Sequence, residues 1–269
     1  MKQWVRVVMT VCCAVVLMAG AAMADPAAVR SSLAGKSISS GDDAITALAD
    51  AVKTLENAGG IKWVATDSVI DAMAKDLCHK AHKATTACTT CKTDAKDQFT
   101  SNKCRGFTDH TDTVYMVEKI AAKSDGIHEL VHICSGPGGI CAIQTANNAL
   151  NEGVTQYFTM KVCEKRKEAC AAAYPEWVEF VTKLAATIGN DALFKWYVKG
   201  DAKDAMKKMA ETYLGYLKTG TLSDGKTKTV YSEKQVKTEQ DAEKLILEQI
   251  AKGDDANARK WLTLRVTKP

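Results

Sequence analysis

The chain has 269 residues, with 36 basic and 32 acidic side chains, ten cysteines and a formal net charge of +4 at pH 7. The first 24 positions hold two of the basic residues and two of the cysteines, so the other 245 carry 34 basic against 32 acidic residues, a net +2, and eight cysteines. So balanced a charge argues against nucleic acid or an anionic membrane as the main partner, and 245 residues suffice for one large core or two lobes.

Residues 1–24 read as a signal peptide. Lys2 and Arg6 form a basic start, Val7 to Ala21 an apolar core, and Ala22-Met23-Ala24 a small-x-small cleavage site. The apolar run is too short and wrongly flanked for a stable membrane anchor. An exported protein, periplasmic or secreted and starting at Asp25, is the expectation. Eight cysteines in an oxidising compartment then read as disulfides rather than redox chemistry.

From Asp42 to Asn57 the apolar residues Ile45, Leu48, Val52 and Leu55 keep helical spacing, which Gly59-Gly60 ends. A removable pro-segment within 25–60 is an alternative use of this stretch. Ile61 to Val64 is expected as a short strand and Ser68 to Ala84 as a helix with Val69, Ala72, Met73 and Leu77 inward. Residues 78–104 hold Cys78, Cys88, Cys91 and Cys104 with His79 and His82. That set fits either a structural zinc site or two disulfides stapling a polar loop, and export favours the disulfides. Thr113 to Glu118 has the β-branched and aromatic content of a strand.

Cys134 and Cys141 flank a Gly/Pro-rich turn, Ser135 to Ile140, and Cys134–Cys141 is the favoured pairing. Asn151 to Cys170 reads as helix. Cys163 and Cys170 stand too far apart on one straight helix to bond, so either the helix breaks within the charged run Glu164 to Glu168 or each bonds elsewhere. Pro175 opens a helix through Thr187 whose Trp177, Phe180, Val181 and Leu184 stripe reads as core. Asp191 is expected to cap Ala192 to Val198, and Asp201 to Leu217 follows. In the tail, Thr227 to Ser232 and Trp261 to Val266 read as strands around a helix, Glu239 to Ala251.

The chemistry concentrates in His128-Glu129-Leu130-Val131-His132. Two imidazoles at i and i+4 face the same way on a helix and can share one zinc ion, with the intervening Glu129 placed to hold a water against it. Ser124 and Asp125 signal the start of that helix, Gly136-Pro137 its stop. Nineteen residues separate His132 from Glu152, which opens a second helical pattern within Asn151-Glu152-Gly153 and is placed to supply a third ligand.

His128-Glu129-x-x-His132 followed by Asn151-Glu152-Gly153-Val154-Thr155 resembles the gluzincin metallopeptidases, the group of thermolysin and the alanyl aminopeptidases. The strict likeness covers Ile120 to Tyr157, and a looser one, Tyr174 to Asp201, is similar to helical tails of secreted bacterial members. The chain lacks the Gly-Ala-Met-Glu-Asn substrate motif of the aminopeptidases.

The resemblance implies an α+β fold: a zincin-like catalytic core with a mostly helical C-terminal part, stapled by disulfides. Residues 25–142 would form the N-terminal α+β part, 143–220 the helical part with the third ligand, and 221–269 a small α/β tail. It implies Zn2+ held by His128, His132 and Glu152, with Glu129 as catalytic base and Asn151 and Gln156 as candidates to orient the ligands. An exported hydrolase would cut a peptide or protein substrate through a metal-activated water. The 113–118 strand would line the cleft and pair its edge with substrate. The donor to the tetrahedral oxyanion would be Tyr157, Tyr174, Tyr197, Tyr216 or His110. The alternative is a catalytically inactive zincin fold serving as a secreted binding or structural protein.

Overall fold

A computed structural model of the chain describes residues 25–82, 89–101, 104–109, 111–139, 148–171, 173–226 and 236–268. Pro26 in the first turn and the Asp25 carboxylate, which accepts the Ala27 N–H, start α1 (Pro26–Gly35). This helix is not among those expected from the sequence. Ser40 caps α2 (Gly41–Asn57), whose Ile45, Leu48, Val52 and Leu55 are buried as their spacing required. Both helices bury apolar residues in the main core, so residues 25–60 are built into the fold.

The chain then runs through β1 (Ile61–Val64), α3 (Thr66–His82), α4 (Thr89–Ser101), β2 (Gly106–Thr108) and β3 (Val114–Val117). Helix α4 occupies the stretch read as a polar loop; its inward residues Cys91, Ala95 and Phe99 recur every four positions in an otherwise polar run. The sheet order is β1-β3-β2, with β1 parallel and β2 antiparallel to β3. Strand β3 is therefore central, with both edges taken, and cannot pair with a substrate as expected. Gly106 permits this packing: a Cβ there would run into the Met116 sulfur and the Tyr115 carbonyl.

Alternation across the pleat divides the apolar residues. Val114 and Met116 face the main core, whereas Val117, Tyr115 and Phe107 face a second, smaller core under α3 and α4. Main-core residues come from α1, α2 and the helices α5 (Lys123–Gly139), α6 (Asn148–Arg166), α7 (Pro175–Ile188), α8 (Asn190–Lys199) and α9 (Lys203–Thr219). The Trp177, Phe180, Val181 and Leu184 stripe of α7 is buried there. Gly189 rather than Asp191 precedes α8, and Asp191 sits in the first turn. The tail adds α10 (Glu239–Ile250), started by a Thr238–Asp241 capping box, and α11 (Ala256–Arg265). The second expected tail strand is thus a helix: Leu262 is buried every-fourth with Ala258, and Arg265 lies over the rings of Tyr216 and Trp261, 5.3 Å from each centroid. The strand expected at 227–232 lies outside the described residues. Among them the fold is mostly helical with one three-stranded sheet, an α+β arrangement.

Two disulfides form among the described residues, Cys78–Cys91 and Cys163–Cys170. The second resolves the spacing problem: α6 ends at Arg166, Lys167 takes φ +56° and the chain doubles back, bringing the two Cα atoms to 6.0 Å. Cys104 and Cys134 are free thiols, so the favoured Cys134–Cys141 bond is not made. Helix α5 does not stop at Gly136-Pro137 but continues to Gly139, and Cys134 points into the core, where burial pushes its thiol up to about 12. A proline near a helix end removes one backbone bond, which the packing of Ile133 and Cys134 offsets. Cys88, Cys141 and His110 lie outside the described residues.

Candidate metal centre

Helix α5 presents His128 and His132 on one face, rings edge to face with centroids 4.7 Å apart and Nε2 atoms 3.1 Å apart. Helix α6 crosses beside them and brings in Glu152, whose Oε2 lies 3.1 Å from His128 Nε2 and 3.4 Å from His132 Nε2. One ligand atom from each residue falls within 4.8 Å of the others, and the group can hold a metal ion.

The surroundings fix which ring nitrogens are free to ligate. His128 Nδ1 lies 3.0 Å from Gln156 Oε1, and the Gln156 amide is oriented because its Nε2 donates to the Ala171 carbonyl at 2.9 Å. His132 Nδ1 lies 3.2 Å from the Thr155 hydroxyl, itself 2.7 Å from the Tyr197 hydroxyl, which donates to the Val131 carbonyl. An acceptor at each Nδ1 favours the proton there, so that in the neutral ring each Nε2 turns its lone pair toward Glu152, the arrangement metal-ligating histidines need. The sequence raised Gln156 but missed Thr155, because the i, i+3, i+4 relation of 152, 155 and 156 names a helix face without saying which ring lies against it.

The charges converge as well. Burial alone would raise the Glu152 carboxyl, but hydrogen bonds and charge from both imidazoles hold it well below the usual carboxylate range. Burial would lower His132, yet the hydrogen bond and charge of Glu152, with the charge of Glu129, raise it above the ordinary imidazole value. The Glu152 carboxylate thus stays ionised at the point where the three residues meet. A divalent cation with nitrogen and oxygen ligands fits that donor set.

Glu129 stands beside this point, its Oε2 accepting the Thr108 hydroxyl at 2.7 Å. Strand β2 supplies Thr108, which sequence reading could not find: a three-residue strand carries no periodicity. Of the four candidate oxyanion donors among the described residues, the structure brings one to the site. Tyr174, in the left-handed region at φ +50°, stacks its ring on His128 with centroids 6.0 Å apart. Its hydroxyl stays protonated because burial, then the charge and hydrogen bond of Glu152, raise it far above the usual phenol range. Tyr157 donates instead to Asn190, Tyr197 supports Thr155 from behind, and Tyr216 stacks on Tyr213. Asn151 is buried, and its Oδ1 has no hydrogen-bond partner among the described residues. Comparison of the chain with protein-family models, with curated proteins and with solved structures found no match.

Proposed function

We propose that the protein is an exported zinc-dependent peptidase of gluzincin type, with a zincin-like core around α5 and α6. One observation carries the reading: His128, His132 and Glu152 converge with both Nε2 atoms inward, and a carboxylate that is not one of them, Glu129, is held alongside. A purely structural metal site has no use for that fourth group. The two disulfides suit an oxidising compartment, and no described helix is long and apolar enough to cross a membrane.

When bound, zinc supplies Lewis acidity that polarises a substrate carbonyl and makes water acidic near neutral pH. The protein's own residues do the rest. Glu129 accepts a proton from the attacking water as its oxygen adds to the carbonyl carbon, then returns it to the amide nitrogen as the C–N bond breaks. Thr108 keeps the Glu129 carboxylate aimed. Tyr174, still protonated, donates to the developing oxyanion. Gln156 and Thr155 keep both imidazoles in the ligating tautomer.

An extended peptide fits the edge of β2 rather than that of β3. Val117 N–H bonds the Arg105 carbonyl and Asp109 N–H the Thr113 carbonyl, so Arg105, Phe107 and Asp109 point their backbone groups at β3. Gly106 and Thr108 turn theirs the other way, beside Glu129, where a substrate can add as a strand.

Glu129→Gln tests the reading. The amide is nearly isosteric and leaves the three ligands intact, so zinc content should be normal while cleavage of a mixed peptide library drops at least about a hundredfold. A wild type that binds zinc and, unlike a positive control, cleaves nothing in the library would favour the inactive binding protein. Cleavage that Glu129→Gln leaves untouched would place the chemistry elsewhere.

A further inference from the structure

Gly153, next to Glu152, has no room for a side chain: a Cβ there would stand 2.5 Å from the Cβ of Trp177. Trp177 is buried in the first turn of α7, and its backbone N–H bonds the Tyr174 carbonyl at 3.0 Å. One residue therefore spans the helix that carries Glu152 and the turn that carries Tyr174. The tail grips its indole from the far side. Nε1–H donates to Asp254 at 2.8 Å, and the Arg259 guanidinium lies over the ring, 5.3 Å from its centroid. Arg259 also pairs with Asp254 at 3.0 Å and with Glu176, the neighbour of Trp177, at 3.4 Å.

We propose that Asp254 and Arg259, about a hundred residues beyond Glu152, are positioning residues for the metal centre, acting through Trp177. This rests on the metal-site reading above. The tail already has apolar residues for holding itself to the core: Ile246, Ile250, Leu262 and Val266 are buried there. Stability alone calls for no directional contact on a single indole. Fixing the indole fixes the α6–α7 contact at Gly153, and with it the separation of Glu152 and Tyr174. Metal sites require such placement to within about 0.5 Å. Freed at Nε1, the indole can tilt and the contact can slide without loss of the fold.

The test is zinc affinity, measured by chelator competition on the full chain, beside the melting temperature of the metal-free protein. Asp254 is 71% exposed, so Asp254→Ala should fold. Asp254→Ala and Arg259→Ala should each bind zinc about tenfold more weakly, as when an orienting partner of a ligand is lost, with little change in metal-free melting temperature. Asp254→Asn keeps an oxygen to accept the indole N–H and should bind zinc nearly as wild type does. Unchanged affinity in Asp254→Ala overturns the proposal, whatever happens to the melting temperature. So does an Asp254→Asn as weak as Asp254→Ala, since charge rather than placement would then be at work. A wild type that binds no zinc sinks the metal-site reading itself, whereas a zinc-binding wild type with unaltered variants sinks only the positioning role.

Discussion

The two faces of the sheet share the same three strands but rest on different supports. On one face Val114 and Met116 join a core drawn from all the helices except α3 and α4, and the half-buried metal-site residues sit on α5 and α6, which pack into it. On the other, Val117 meets a small set from α3 and α4: Val69, Met73, Ala74, Cys78, Cys91, Ala95 and Phe99. The first core is large enough to hold its helices by apolar burial alone. The second is below the size at which a core stands unaided, and the Cys78–Cys91 bond joins its two helices. Precision at the metal ligands is thus a property of the large core, and the small one contributes by steadying β2, from which Thr108 reaches Glu129.

That contrast can be broken by experiment. Phe158 is fully buried between Tyr157 and Tyr197, whose hydroxyl supports Thr155 behind His132. Phe158→Ala should cost about 3–5 kcal/mol in denaturant unfolding and reduce zinc retention with it. A loss well under about 1 kcal/mol with zinc retained would mean that the large core is not what holds the ligands.

Removing the staple should act on the other face only. The Cys78→Ser/Cys91→Ser double variant opens a loop of 13-residue separation, worth about 3 kcal/mol. Hydrogen exchange should speed up across α3 and α4 while zinc content stays at the wild-type level. Parallel loss of zinc would show that the two cores are one cooperative unit.

The smallest expected effect sharpens the comparison inside the large core. Gln156 touches His128 and is oriented by the Ala171 carbonyl, next to the Cys163–Cys170 loop. Gln156→Ala should weaken zinc binding about tenfold or somewhat more with little effect on unfolding. Equal affinity in the variant would return Gln156 to an ordinary buried polar residue. From the sequence alone it was equally a solvated position, since helical spacing does not say what the neighbouring helix presents.

What the chain determines locally was legible. The helix over 41–57, the β1 and β3 strands and the buried face of α7 follow from periodicity within one element, and the His128–His132 pairing follows from a separation of four. A break between Cys163 and Cys170 was likewise one of two outcomes that helix geometry allowed. Short or weakly patterned pieces were not legible: β2 has three residues, and α4 shows three inward positions among many polar ones. Still less so were the contacts between elements. The sequence named five candidate donors, but only the turn into α7, crossing α6 at Gly153, puts Tyr174 against His128. Thr108 reaches Glu129 because of strand order, and Cys134 remains a thiol because α5 buries it. Local patterns depend on residues a few positions apart, whose geometry the backbone dihedrals restrict. Partners 20 to 100 residues apart depend on how whole elements pack, and many sequences with the same local pattern would pack them otherwise.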